Sequence, residues 1–283
     1  MLQKKIDMGY EFIAEHRMLF RCPKCHEAIT ETRPYSMICA NGHQYDLSKK
    51  GTLYFLSHQI ATEYNKEMLL HRRQMIADGL YGPLFDRLAP YMPAGAGAVC
   101  IDMGCGEGSF LKKLVRPDHI AVGFDISKDG IFLATDFSEQ AFWCVADITN
   151  MPFQDASADV LLNIFSPSHY SEMARVLKPD GVVLKVIPER YYLKELRERF
   201  YVDQTEKQDY SNDKVYEKFQ DALTVVAEER LTYTYPLTSE QQTHALLMSP
   251  IQWGATADAL TYAAAHPMTE LTVDVRVLVG KFK

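Results

Sequence analysis

Long apolar runs, an apolar leader and low-complexity repeats are all missing from this sequence of 283 residues. No stretch of about 18 consecutive apolar residues is present, so no transmembrane helix is expected. Residues 1–16 carry charges throughout and lack the apolar core of a secretory signal, and they predict no particular structure. With 47% hydrophobic and 24% charged residues, the composition is typical of a globular chain.

Positively charged residues are also fewer than negatively charged ones, with 30 Lys and Arg against 37 Asp and Glu. The formal net charge is −7, which argues against a broad affinity for nucleic acids. The charges are unevenly distributed. Residues 1–75 carry slightly more Lys and Arg than Asp and Glu, and the acidic excess lies in the remainder. A basic recognition surface is therefore expected in the N-terminal quarter of the chain.

Six cysteines are present, and without an export signal they are expected to be reduced, in a cytoplasmic protein. Three of them and one histidine follow a C-x2-C-x13-C-x3-H spacing: Cys22, Cys25, Cys39 and His43. A CxxC knuckle supplies two thiolates from one turn, and a second pair completes a tetrahedral zinc site. Because four protein ligands leave no open position, the sequence predicts a structural zinc-binding module over residues 18–56.

Strand and helix patterns alternate from residue 81 onward, which is typical of an α/β fold with a doubly wound parallel sheet. Strands are predicted at 98–102, 119–125, 142–146, 160–164, 182–187, near 231–235 and at 271–279. Helices are predicted at 108–115, 128–137, 171–177 (ending in a turn at 178–181), 189–221, 239–248 and 255–265. Apolar residues at helical spacing over 61–79 predict a helix within a linker at 57–80, which leaves 81–283 as the main domain.

A glycine-rich loop, Asp102-Met103-Gly104-Cys105-Gly106-Glu107-Gly108, follows the first of these strands and opens a helix. Gly104, Gly106 and Gly108 allow the backbone to turn sharply and to pass close to a ligand. The loop has no Lys, so a triphosphate is not expected. A G-x-G-x-G loop alone also fits NAD binders, but this one is a residue tighter than the dinucleotide fingerprint.

Acidic residues end three successive predicted strands. Asp102 precedes the first glycine of the loop, Asp125 lies where a carboxylate binds ribose hydroxyls, and Asp147 lies where an acid reads an adenine edge. The carboxyl ends of parallel strands meet at one edge of the sheet. The sequence therefore predicts one crevice, of the type that binds S-adenosylmethionine.

Taken together, these features resemble the bacterial 23S ribosomal RNA (guanine-N1)-methyltransferase family, in which a zinc finger precedes a class I, Rossmann-like methyltransferase domain. The resemblance covers residues from about 18 to the C-terminal end. Its motifs are the finger followed by Gln44-Tyr45-Asp46, and residues 79–84, 102–108, 166–167, 172–179 and 246–253. The combination is specific, whereas the methyltransferase motifs alone are not.

The resemblance implies that Tyr81, Gly106 and Glu107 contact S-adenosylmethionine. A family His that makes a further contact is replaced here by Tyr192, whose phenol can still donate a hydrogen bond. Family members also tend to carry Arg after the C-terminal Trp, where this chain has Gly254.

The function implied by the resemblance is methyl transfer from S-adenosylmethionine to N1 of a guanosine in a 23S rRNA hairpin, with the zinc module helping to recognise RNA. Guanine N1 carries a proton at neutral pH, so an acceptor is needed. His169 and Glu172, after the fourth strand, are candidates, and solvent is an alternative. Because N1 lies on the Watson–Crick edge, the guanosine must be looped out or flipped, with Tyr170 and Trp253 among the candidate stacking faces.

Other outcomes stay open on sequence alone. Many family members pair as homodimers, and no membrane partner is expected. The alternative function is an S-adenosylmethionine-dependent methyltransferase that acts on a different RNA or on a small molecule. If the zinc module and the cofactor crevice fold separately, Cys22→Ser should abolish RNA methylation and leave cofactor binding intact.

Overall fold

A computed structural model describes residues 3–58, 60, 63–202 and 211–283 of the protein. The chain divides into two compact units. The first combines Met1–Glu63 with Tyr91–Leu184 and Phe282, and the second combines Tyr64–Pro90 with Lys185–Lys281 and Lys283. The boundaries predicted at residues 18, 56 and 80 stay predictions, and residues 59, 61 and 62 of the predicted linker lie outside the described residues.

The described residues form ten α-helices and eleven β-strands. The helices are α1 Lys5–His16, α2 Lys66–Ala77, α3 Gly82–Leu88, α4 Ser109–Leu114, α5 Lys128–Ala134, α6 Tyr170–Val176, α7 Lys194–Phe200, α8 Asp213–Ala222, α9 Gln242–Leu247 and α10 Ala257–Ala265. The strands are β1 Ile29–Arg33, β2 Ser36–Cys39, β3 Gln44–Asp46, β4 Leu53–Tyr54, β5 Val99–Met103, β6 Ile120–Asp125, β7 Phe142–Val145, β8 Ala158–Ile164, β9 Leu177–Pro188, β10 Leu223–Pro236 and β11 Glu270–Phe282. None of the helices within these described ranges is long and apolar enough to cross a membrane.

The core of the first unit is a sheet in the order β9-β8-β5-β6-β7-β4. The pairs β5–β6, β5–β8, β6–β7 and β4–β7 are parallel. Strands β5 to β8 are almost wholly buried, as expected where helices cover both faces of a parallel sheet. The chain order reverses between β5 and β8, which places the carboxyl ends of β5 and β6 beside a topological switch point, the usual place for a ligand crevice. The α/β fold and its doubly wound sheet are confirmed.

The predicted zinc-binding module, residues 18–56 and called the zinc segment below, belongs to this same unit. Strands β1, β2 and β3 form a small antiparallel sheet, but the residues before and after it join the main core. Phe20 is fully buried, forms an antiparallel bridge with Phe153, and has its ring centroid 5.7 Å from that of Phe153 and 5.8 Å from that of Phe142. Strand β4 pairs with β7. The structure therefore places the zinc segment and the sheet in one compact unit with shared buried residues, and separate folding of the zinc module stays a prediction.

The second unit contains β10, β11, the end of β9 and the helices α2, α3 and α7–α10. The helical region predicted at 189–221 consists of α7 and α8, and residues 203–210 between them lie outside the described residues. The strand predicted near 231–235 is the longer β10. The turn predicted at 178–181 lies inside β9, because the backbone is already extended at Leu177, where α6 ends.

Helix α1 lies in residues 1–16, for which the sequence predicts no particular structure, and α3 also falls outside the predicted elements. The ring of Phe12 in α1 stacks on the ring of Phe142, with centroids 4.7 Å apart and planes 5° from parallel. Gly9 and Gly51 are in close contact, since a Cβ added at Gly9 would lie 2.5 Å from the carbonyl oxygen of Gly51. The helix is thus held by tertiary packing rather than by a strong local signal.

Candidate functional site

Four predicted ligands converge in the first unit. The candidate ligand atoms of Cys22, Cys25, Cys39 and His43 lie within 4.8 Å of one another. The Sγ atoms of Cys22 and Cys39 are each 3.4 Å from Nδ1 of His43, and the Sγ atoms of Cys25 and Cys39 are 3.7 Å apart. Zn–S bonds of about 2.3 Å and Zn–N bonds of about 2.0 Å in a tetrahedron place ligands roughly 3.5–3.8 Å apart. The cluster therefore fits a structural zinc ion.

The surroundings of the cluster support the same assignment. Cys22 and Cys39 are buried, and the hydroxyl of Tyr45 lies 3.0 Å from Sγ of Cys22, where it can donate to a thiolate. Such a neighbouring donor orients a metal ligand and stabilises its charged form. With four ligands from the protein, the chemistry is structural rather than catalytic.

The glycine loop between β5 and α4 has the conformation that its sequence predicts. Gly104, Gly106 and Gly108 have φ values of 71°, 55° and 88°, in the left-handed region that favours glycine. A Cβ at Gly104 would lie 2.7 Å from Cβ of Ser166, and one at Gly108 would lie 2.7 Å from the ring of Trp143. Both glycines are needed for backbone conformation and for close packing.

The amides of this loop are largely used inside the protein. The N–H groups of Gly104 and Cys105 both donate to the carbonyl of Phe124, at 2.9 and 3.0 Å. The N–H of Gly106 donates to Oδ2 of Asp125 at 2.8 Å. A loop that binds phosphate would instead direct its amides at the anion. The loop is therefore not built for a triphosphate, as its lack of Lys predicts.

Carboxylates dominate the charge around the loop. Asp102 and Glu107 are each 2% exposed, and Glu107 accepts a hydrogen bond from Oγ of Ser109 at 2.7 Å. Burial, and then the charges of Asp125 and Glu107, raise the pKa of Asp102 to about 8. Oδ2 of Asp102 has no hydrogen-bond partner among the described residues. A buried acid with an unmet acceptor and two acidic neighbours fits a cationic ligand, and S-adenosylmethionine carries a sulfonium and an ammonium group.

Asp125 is the last residue of β6, and Asp147 follows β7 at the same edge of the sheet. Oδ1 of Asp125 accepts from the amide of Ser127 at 2.7 Å, and Oδ1 of Asp147 accepts from the amide of Thr149 at 2.8 Å. The amide of Ala146 donates to the carbonyl of Asp125 at 3.1 Å, which joins the two strand ends. The structure thus places Asp102, Asp125 and Asp147 at one edge, and their contact with a cofactor stays a prediction.

Tyr81 and Tyr192 lie in the second unit, where their hydroxyl oxygens are 2.5 Å apart. Both side chains are buried, and burial raises the pKa of each phenol. Both phenols are therefore neutral at pH 7, and one donates to the other. The predicted cofactor contacts of these two residues are not tested by this pairing.

The two candidate proton acceptors differ in their surroundings. Burial alone would raise the pKa of Glu172, but hydrogen bonds from Arg175 and the amide of Met151, and the charges of Arg175 and Arg21, lower it. Its two oxygens accept from Arg175 at 2.7 Å and from Met151 at 2.7 Å. Glu172 is thus part of a structural ion-pair network. His169 is half-buried at the start of α6, with Nδ1 3.3 Å from Oγ of Ser171.

Sequence analysis missed Asn163, which fixes the loop after β8. Its side chain is fully buried, and its Nδ2 donates to Oγ of Ser166 at 2.6 Å and to the carbonyl of Pro167 at 2.7 Å. Ser166 in turn donates to the carbonyl of Met103 at 2.6 Å, beside the glycine loop. The feature in the sequence that points to Asn163 is a single amide side chain within the apolar run of β8, because a buried amide needs hydrogen-bond partners.

Known proteins share both the fold and the length of this chain. A model of the family "Methyltransferase domain" matches residues 101–184. The Bacillus subtilis protein "Putative 23S rRNA (guanine-N(1)-)-methyltransferase YxjB" is 38% identical over 93% of this chain and 96% of its own length.

The chain belongs to the 23S rRNA (guanine-N1)-methyltransferase family. A second relative, the Streptomyces fradiae 23S rRNA (guanine(748)-N(1))-methyltransferase, is 29% identical over 87% of this chain and 90% of its own length. Among solved structures, phosphoethanolamine N-methyltransferase 2 of Haemonchus contortus in complex with S-adenosyl-L-methionine matches with a TM-score of 0.50 at 13% identity. That match covers 78% of this chain and 58% of the other, and it supports the fold alone.

One departure of this family member has a local explanation. A Cβ at Gly254, where relatives are expected to carry Arg, would lie 2.7 Å from the hydroxyl of Tyr201. That hydroxyl donates to the carbonyl of Ile251 at 2.6 Å. Tyr201 therefore occupies the space next to this position and anchors the turn that carries Trp253.

Proposed function

We propose that this protein transfers the methyl group of S-adenosylmethionine to N1 of a guanosine in a hairpin of 23S rRNA. The observation that carries the proposal is the acidic glycine-loop crevice at the switch point of the sheet, in a chain with full-length similarity to 23S rRNA (guanine-N1)-methyltransferases. The alternative, methylation of a different RNA or of a small molecule, is an outcome of the test below.

The residues proposed to hold S-adenosylmethionine are those of the crevice in the first unit: Asp102, Gly104, Gly106, Glu107, Gly108, Asp125 and Asp147. The contacts of Tyr81 and Tyr192 with the cofactor stay what the family resemblance implies. When bound, the cofactor supplies an electrophilic methyl group on a sulfonium centre. The part of the protein is to position this group and to stabilise its positive charge, which Asp102, Glu107 and Asp125 around the loop can do.

A proton must leave guanine N1. Of the two candidates, His169 fits better than Glu172, because hydrogen bonds and charges from Arg175 and Arg21 lower the pKa of Glu172 and occupy its oxygens. Since Glu172 is engaged in this way, we carry His169 forward as the proposed acceptor, with solvent as the competitor. A His169→Gln variant that keeps its full rate at pH 7 would favour solvent.

Recognition of RNA is proposed to involve the zinc segment. It lies in the quarter of the chain with the basic excess, and Lys49 and Lys50 are exposed within it. Trp253 is 41% exposed and its ring centroid lies 5.1 Å from that of Tyr64, so this pair offers a stacking face. A homodimer could present two such surfaces to one hairpin, and an rRNA substrate would place the enzyme in the cytoplasm.

Methylation of purified RNA tests the proposal directly. The protein is incubated with methyl-labelled S-adenosylmethionine and 23S rRNA lacking the modification, and the digested nucleosides are identified by mass spectrometry. Label in N1-methylguanosine is expected. Asp125→Asn should reduce transfer about 10- to 100-fold, since it loses a charge at the crevice. Asp118→Asn, which removes an exposed acid paired with Arg116 at 3.0 Å, is the matched control.

Two results would overturn the assignment. Label in another nucleoside would show a different RNA target. Tight binding of S-adenosylmethionine without transfer to any ribosomal RNA would favour a small-molecule substrate.

A further inference from the structure

The turn that follows β7 is held by the zinc knuckle. The Nδ2 atom of Asn150 donates to the carbonyl of Pro23 at 2.8 Å, and Pro23 lies between the first two metal ligands, Cys22 and Cys25. The amide of Asn150 donates to the carbonyl of Asp147 at 3.1 Å. One half-buried side chain thus connects the knuckle to the turn that presents Asp147.

Further contacts fix the same two segments. The amide of Arg21 donates to the carbonyl of Pro152 at 3.1 Å, and the amide of Gln154 donates to the carbonyl of Leu19 at 2.9 Å. The Arg21 guanidinium, only 11% exposed, lies 3.4 Å from the carboxylate of Glu172. That carboxylate accepts from the amide of Met151. The segment 147–155 is therefore clamped between the chain entering the knuckle and helix α6.

The crevice lies at the other end of this turn. Oδ1 of Asp147 accepts from the amide of Thr149, and the neighbouring amide of Ala146 donates to the carbonyl of Asp125. Asp125 in turn accepts from the amide of Gly106 in the glycine loop. Hydrogen bonds thus run from the knuckle to the cofactor loop without leaving the first unit.

We propose that Asn150 is a positioning residue through which zinc in the Cys22–Cys25 knuckle raises the affinity of the crevice for S-adenosylmethionine. Without the metal, the three thiolates and the imidazole lose their common centre, and the knuckle loses the contribution of the zinc bonds to its folding free energy. An open knuckle displaces the carbonyl of Pro23, and Asn150 then loses its acceptor. The inference rests on the proposed cofactor site, but it does not depend on the identity of the RNA.

Titration calorimetry with S-adenosylmethionine tests the coupling, using the full chain with zinc and after chelation. We expect chelation to weaken binding about tenfold in the natural protein. Asn150→Asp is nearly isosteric and loses the donor, so it should bind S-adenosylmethionine three- to tenfold more weakly with one zinc still bound. Chelation of this variant should add little further loss, because the connection is already broken.

The chain offers a matched control. Nδ2 of Asn212 donates to the carbonyl of Pro188, also at 2.8 Å, in the second unit. Asn212→Asp removes the same kind of bond and should leave both the dissociation constant and its dependence on zinc unchanged. If Asn150→Asp does not fold, Asn150→Ala replaces it, and circular dichroism establishes the fold of each variant.

Equal affinities for S-adenosylmethionine with and without zinc, in a folded natural protein, would overturn the coupling. So would a full zinc dependence in the Asn150 variants. Failure of the proposed function has a different signature, since a protein that binds S-adenosylmethionine in a zinc-dependent way but methylates no 23S rRNA would leave the coupling intact.

Discussion

The buried carboxyl group of Asp102 makes a sharp prediction about pH. Its folded-state pKa is raised to about 8, mainly by burial, from an ordinary value of 3.8. Between these values the folded protein holds a proton that the unfolded chain releases. The folded state therefore binds more protons, and this group's contribution to stability is lost as the pH rises from about 4 to about 8.

The size of the effect follows from the shift. One pKa unit corresponds to about 1.4 kcal/mol, so raising the pH from about 5.5 to 8 should cost the folded state about 3 kcal/mol at this group. Asp102→Asn keeps the shape of the side chain and cannot ionise. Its free energy of unfolding, relative to that of the natural protein, should improve by about 3 kcal/mol over the same pH range.

Denaturant titrations of both proteins at pH 5.5, 7 and 8.5 measure this difference. Because the variant's own packing and hydrogen-bonding costs are nearly the same at each pH, they cancel in the comparison. Parallel stability curves for the two proteins would refute the reasoning. Binding of S-adenosylmethionine gives a second test. At pH 7, binding to the natural protein should release close to one proton, and binding to Asp102→Asn should release none. Calorimetry in buffers of different ionisation enthalpy measures this number of protons.

Three further predictions concern the loop, the ion pairs and the metal. Gly104→Ala should reduce the affinity for S-adenosylmethionine at least tenfold, because Gly104 has a φ of 71° and a Cβ there would lie 2.7 Å from Cβ of Ser166. Gly82→Ala is the control, since a Cβ at Gly82 would have open space around it. Glu172→Gln should lower the free energy of unfolding by about 3 kcal/mol, since the ion pair of Glu172 with Arg175 is partly buried. The methylation rate per folded molecule should stay within about threefold of that of the natural protein. A large rate loss at unchanged stability would instead identify Glu172 as a base. Chelation of zinc should lower the melting temperature of the natural protein and of Asp125→Asn alike, and an unchanged melting temperature would contradict a structural role.

Local sequence rules predict the sheet of the first unit well. Strands β5 to β8 are short, apolar and separated by glycine or acidic turns, so each is specified by its own residues. Helix α1 and the long β10 are different. Phe12 finds its partner in Phe142, 130 positions along the chain, and no local pattern reveals such a contact.

The same distinction applies to the site. Cys22, Cys25, Cys39 and His43 could be found because metal ligands have a characteristic spacing. The pairing of Tyr81 with Tyr192 could not, because it joins residues far apart in sequence. Glu172 shows the opposite difficulty: its position in the chain suggests a catalytic acid or base, and only the structure shows the contacts with Arg175 and Met151 that favour a structural carboxylate.

The shared core of the zinc segment and the sheet has a thermodynamic consequence that runs in both directions. If zinc raises the affinity for S-adenosylmethionine by some factor, then S-adenosylmethionine must raise the affinity for zinc by the same factor, because binding free energies at two sites are linked. The contacts of Asn150 with Pro23 and Asp147 provide the physical connection. Saturating S-adenosylmethionine should therefore increase the chelator concentration needed to remove half of the zinc by about tenfold, and this increase should disappear in Asn150→Asp while persisting in Asn212→Asp. If bound S-adenosylmethionine left the affinity for zinc unchanged, the zinc segment and the crevice would be energetically uncoupled, in spite of their common core.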